Sequence, residues 1–119
     1  MVEDTDKFTS LRKPQSTIRS QIVDLVKHAL EQVQVDGLLP AISGADPVVE
    51  RPQNPENGDF SCSFPLKIAR SMAMNPMLIA EKIVSGMPED RAIDRVWAAS
   101  PGFINFSLKS SWLALQVDD

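Results

Sequence analysis

The chain has 119 residues, 43% hydrophobic and 24% charged, with a formal net charge of −4. This is ordinary composition for one globular domain with one modest core. It excludes a disulfide scaffold, since Cys62 is the only cysteine, and a helical membrane span, since no apolar run approaches the ~18–20 residues one needs.

Met1 to Asp6 is acidic and polar and does not read as a signal peptide. A soluble cytoplasmic protein is the default expectation. The net charge alone argues against a nucleic-acid binder, whose usual footprint is basic. Its distribution softens this. Glu3, Asp4, Asp6, Asp118 and Asp119 lie at the two ends, and setting them aside leaves 11 acidic residues against 12 basic ones.

Residues 1–15 read as a flexible arm and 16–117 as the domain. Ser16 is placed to cap a helix running to about Asp36. Ile18, Ile22, Val23, Leu25, Val26, Ala29, Leu30 and Val33 form its buried stripe. Gly37 supplies the stop, and Leu38 and Leu39 are expected to fold back over the helix end. Val48 to Arg51 is a short β-branched stretch ended by Pro52. The run 52–59, PQNPENGD, is dense in turn formers and predicts an exposed loop.

Phe60 to Phe64 either continues as a strand or leads directly into a helix. Pro65 suits the first turn of that helix, which extends to about Met74. Asn75-Pro76 then caps and opens a second short helix ended by Gly86. Ile93 to Ala99 alternates and predicts a strand. Ser100-Pro101-Gly102-Phe103 has type II turn chemistry, and Ile104 to Leu108 returns as a second strand, giving a β-hairpin. Ser110 or Ser111 would cap a final helix containing Trp112, Leu113 and Leu115. The fold class is α+β: a small antiparallel sheet, made of a short strand plus a β-hairpin, with helices packed on one face.

Catalytic constellations are sparse. His28 is the only histidine, mid-helix among polar neighbours, and reads as a structural residue. Cys62 has no histidine near it in sequence and reads as a small buried or half-buried side chain. No phosphate-cradling Gly-rich loop is present. The one close-set group of unusual residues is Asn57-Gly58-Asp59-Phe60. Read blandly, it is a tight turn leading into a core aromatic. Read functionally, a glycine lets a ligand approach the backbone, an aromatic stacks on an unpaired base, and short polar groups read its edge. Spacing leaves both open.

Three motifs in order carry a family resemblance. Gly58-Asp59-Phe60 opens a segment leading to Ile68-Ala69-Arg70. Asn75-Pro76-Met77-Leu78-Ile79-Ala80-Glu81 follows, and Pro101-Gly102-Phe103-Ile104-Asn105-Phe106 closes the set. Together they resemble the N-terminal domain of arginyl-tRNA synthetases. Phe60 stands where many members have Tyr. Ser61, Cys62 and Ser63 stand where an Asn or Gln often follows.

The resemblance implies a domain without catalytic residues that contacts the D-loop of tRNA for arginine. Its contact surface would be Asn57, Gly58, Asp59, Phe60, Ser61 and Cys62, with Arg51, Lys67 and Arg70 meeting phosphates. It implies a parent ligase that joins arginine to its tRNA using ATP and magnesium in protein biosynthesis. The catalytic and anticodon-binding domains would lie elsewhere in the same polypeptide, and this chain would be a piece of it. No metal, cofactor, DNA or membrane partner is implied for the chain itself. Two rival readings stand beside this one. The first is a protein-interaction module of similar fold, with Met72, Met74, Met77 and Met87 lining an adaptable surface. The second is a small enzyme using Cys62.

Overall fold

The computed structural model describes residues 17–42 and 46–110. The N-terminal arm and the final helix expected around Trp112 lie outside those residues. Among the described residues, three helices and a four-stranded antiparallel sheet follow in the order α1 (Ile18–Val35), β1 (Val49–Glu50), β2 (Phe60–Cys62), α2 (Phe64–Met72), α3 (Pro76–Ser85), β3 (Ile93–Ala99) and β4 (Phe103–Leu108). This is the expected α+β class.

Helix α1 begins one residue later than the sequence suggested. Thr17, not Ser16, is the cap, and its hydroxyl accepts the Ser20 N–H at 3.0 Å. The stripe Ile18, Ile22, Val26, Ala29 and Val33 is buried along its length. Leu39 folds back into the core, its N–H donating to the Val33 carbonyl. Leu38 does not; it stays 44% exposed, and Val35 beside it is 82% exposed.

The sheet order is β1-β2-β4-β3. Strand β4 is thus interior, although it is the last of the four described strands in sequence. It pairs with β2 through Phe60↔Phe106, Ser61↔Asn105 and Cys62↔Ile104. On its other side it pairs with β3 through Val96↔Phe106, Trp97↔Asn105 and Ala98↔Ile104. Side chains alternate across a strand, so these registers define two faces. Val49, Phe60, Cys62, Ile104, Phe106 and Leu108 belong to one face and are all buried in the core with the apolar stripes of the helices. Glu50, Ser61, Asn105 and Trp97 fall in one row across the other face.

Helices α2 and α3 pack together and close over the sheet. Asn75 caps α3, its Oδ1 accepting the Met77 N–H at 2.8 Å and the Leu78 N–H at 3.4 Å. Before it, Ala73 takes a left-handed conformation at φ 55° to end α2. The methionines are largely spent on packing. Met72 is a core residue, and Met74 and Met87 pack against the core.

The turn between β3 and β4 departs from expectation. Its Ser100–Pro101 bond is cis, and Gly102 is not among the positive-φ glycines, so it is not type II. Gly102 is required for a different reason. A Cβ there would lie 2.6 Å from the Pro76 Cβ and 3.2 Å from Leu66. The two motifs Asn75-Pro76 and Pro101-Gly102 therefore meet in space. Replacing Gly102 with Ala forces the α3 start away from the hairpin and is expected to cost about 1–3 kcal/mol, as overpacking does. Urea denaturation of Gly102→Ala beside the parent chain checks this.

Candidate nucleic-acid interface

The segment singled out by sequence, Asn57 to Cys62, is divided by the geometry of β2. Its first residues form the end of a loop. Asn54 caps a short 3₁₀ turn, Pro55–Asn57, by accepting the Glu56 N–H at 2.9 Å. Asn57 is exposed. Gly58 follows at φ +92°, and a Cβ on it would meet the Phe106 carbonyl oxygen at 2.5 Å and the Trp97 indole at 3.0 Å. Only glycine passes between these groups.

Asp59 is a structural clasp. Its N–H donates to the Phe106 carbonyl at 2.7 Å, and its Oδ2 accepts the Leu108 N–H at 2.7 Å. The N–H that its side chain accepts lies 49 residues away in sequence. The carboxylate locks the end of β4 against the loop that precedes β2.

Phe60 and Cys62 turn inward and are both 0% exposed. Two arginines lie over the Phe60 ring, Arg51 at 4.9 Å and Arg19 at 5.8 Å from its centroid. In this structure the Phe60 ring, expected to stack, is enclosed and engaged by cations, and the Cys62 side chain, expected at the contact surface, is enclosed as well. Burial pushes the Cys62 thiol above its ordinary value. Backbone contacts from Phe64 and Val48 and the charge of Lys67 oppose this. Such a thiol is a poor nucleophile, which removes the basis for a Cys62 enzyme.

Ser61, between them, points to the other face. It lies in a groove of about 520 Å³ whose walls include Arg51, Asn54, Asn57, Phe103 and Asn105. The size is that of an ordinary small-ligand site. The groove is mixed in character, with several short amide and hydroxyl groups and one half-buried aromatic, Phe103. Asn105 is 2% exposed, and the Ser61 hydroxyl donates to its Oδ1 at 2.8 Å. This bond joins neighbouring strands, β2 and β4. Phe103, Asn54 and Asn105 were not among the expected contact residues. Phe103 and Asn105 are distant from Ser61 in sequence, and the β2–β4 pairing brings Asn105 beside it.

Of the expected phosphate contacts, Arg51 reaches the groove, while Lys67 and Arg70 are exposed one turn apart on α2. Arg51 therefore serves two neighbours, the groove and the Phe60 ring.

Two outcomes follow from this geometry. Asp59→Ala strips the Leu108 N–H of its acceptor and is expected to cost about 1–3 kcal/mol of stability, the usual penalty for orphaning a half-buried donor. Thermal or urea unfolding measures it. Cys62 in the native chain should react with a thiol reagent at pH 8 far more slowly than in denaturant, because its thiol is both covered and held protonated. Equal rates in the two conditions would show the side chain to be accessible.

Comparison with known proteins places this architecture. Residues 20–108 match the family model for the arginyl tRNA synthetase N terminal domain. The arginine–tRNA ligase of Alcanivorax borkumensis is 33% identical over 101 residues, which is 85% of this chain and 17% of that protein. The ligase of Acetivibrio thermocellus is 37% identical over 98 residues, covering 82% and 17%. Among solved structures, the arginyl-tRNA synthetase of Plasmodium falciparum superposes with a TM-score of 0.68 at 20% identity, covering 83% of this chain and 17% of that one. The Thermus thermophilus enzyme gives 0.68 at 18% identity, covering 82% and 15%. At such identities the structural likeness speaks for the fold. The chain spans about one sixth of the length of its relatives. It belongs to the arginyl-tRNA synthetase N-terminal domain family.

Proposed function

We propose that the chain is the tRNA-contacting N-terminal domain of a cytoplasmic arginine–tRNA ligase. In this reading it touches the D-loop of tRNA for arginine. ATP-dependent aminoacylation, with its magnesium, belongs to the catalytic part of the same polypeptide, beyond these residues. The domain performs no chemistry. It holds the tRNA in register while the catalytic part acts.

The observation that carries this reading is the groove beside Asn57, with Ser61 and Asn105 on its floor and Arg51 at its edge, in a chain of this family. Single-stranded RNA is read where unpaired bases meet polar side chains and aromatic faces. The contact surface is therefore Asn57, Gly58 and Ser61 from the original segment, joined by Asn54, Phe103 and Asn105. Asp59 and Phe60 support it from behind. Lys67 and Arg70 on α2 provide cations for the phosphates.

Such a contact is weak taken alone. Stacking one base is worth ~1–3 kcal/mol by alanine substitution, enough to bias a choice among tRNAs by about tenfold or more but not enough for tight binding. Titrating the chain with the D-arm of tRNA for arginine at low salt should shift the amide resonances of Asn54, Asn57, Gly58, Ser61 and Asn105. The shifts should fade as salt rises, since phosphate contacts release counterions. An unperturbed loop and groove at low salt would refute the proposal.

A further inference from the structure

The amide of Asn105 has one end held and one end available. It stands on an interior strand, flanked across the sheet by Ser61 on β2 and Trp97 on β3. Only 2% of the residue is exposed, yet it lines the groove. The Ser61 hydroxyl, 2.8 Å away, donates to its Oδ1. A carboxamide carries an acceptor and two donors. The NH2 end is not a buried orphan, since Ser107 Oγ is the one buried unpaired side-chain atom among the described residues; it is the end left open toward the groove that Asn105 lines.

We propose that Asn105 is the specificity-determining residue of this groove, its NH2 donating to an acceptor on the edge of one unpaired nucleobase. This rests on the reading that the groove meets the D-loop. The placement suits the task. Asn105 is fixed on an interior strand of the sheet, so its donor direction is set before any ligand arrives. Ser61 is a positioning residue: its hydroxyl fixes the carbonyl end of the amide and so aims the other. Phe103, half-buried in the same groove, supplies a planar surface for the base. A nucleobase offers a ring nitrogen or carbonyl acceptor on a flat edge.

The first motif supplies the loop and the clasp, while the recognising amide comes from the third, 44 residues after Ser61. A base read in this way is distinguished by its edge as well as its stacking. A site built to donate a hydrogen bond rejects a partner that lacks the acceptor, because the donor is then left unpaired.

The test pairs protein variants with RNA variants. D-arm hairpins are prepared with each unpaired loop nucleotide in turn replaced by an abasic residue. Their dissociation constants are measured by amide-shift titration against the 119-residue chain, Asn105→Asp and Ser61→Ala. Asparagine to aspartate keeps the shape and still accepts from Ser61, but removes the donor. At one loop position the abasic replacement should weaken the parent chain by the stacking share plus roughly fivefold to tenfold for one good hydrogen bond. It should weaken Asn105→Asp by roughly fivefold to tenfold less than the parent, the stacking share alone remaining, and should weaken Ser61→Ala by less than the parent. A general charge effect would lower all affinities of Asn105→Asp while leaving the abasic penalty intact, and that result overturns the inference.

Should Asn105→Asp fail to fold, Ser61→Ala decides the matter, since a full parental penalty in that variant equally overturns it. The two layers separate cleanly. A parent chain that binds no D-arm removes the proposed function and this inference together. A parent chain that binds, with penalties unchanged in both variants, removes only the inference.

Discussion

The register between β2 and β4 depends on one carboxylate. Asp59 takes the Leu108 N–H while its own N–H goes to the Phe106 carbonyl. The same residue thus grips β4 at two points, two residues apart. Gly58 permits the grip, because its backbone passes so close to Phe106 that no side chain would fit. This fixes the pairing Ser61↔Asn105 and Phe60↔Phe106. Side-chain alternation does the rest, sending two phenylalanines into the core and two polar residues to the opposite face. A slip of one residue would exchange those faces. The groove, its amide floor and the burial of Phe60 are therefore consequences of one local clasp.

Much of the fold is legible in the sequence because it is written at short range. The α1 stripe has a period near 3.6, Asn75-Pro76 is a cap followed by a preset first turn, and Ile104 to Leu108 alternates cleanly. Each of these needs only its own neighbours. The Met-rich run fits the same picture. Met72 is a core residue, and Met74 and Met87, partly buried, pack against the core.

What was not legible depends on contacts far apart in sequence. Asp59 and Leu108 are 49 residues apart, and Ser61 and Asn105 are 44 apart. A motif read as a continuous run treats Asn57 to Cys62 as one surface. A strand cannot present consecutive residues to one side, so Phe60 and Cys62 went inward while Ser61 faced the groove. The Pro101-Gly102 turn misled in another way. Turn chemistry accounted for the glycine by its φ, whereas packing against Pro76 accounts for it in the structure. The groove residue Asn54 carried no signal beyond turn composition, and Phe103 stood in the third motif without being marked as a contact.

The proposed reading of a D-loop contact then turns on which face meets RNA. Intermolecular nuclear Overhauser effects between the chain and a D-arm hairpin decide it most directly. The account expects contacts from the Asn105 side-chain NH2 and the Phe103 ring to loop bases, with none from the Phe60 ring. Contacts from Phe60 to a base, with Asn105 silent, would contradict it.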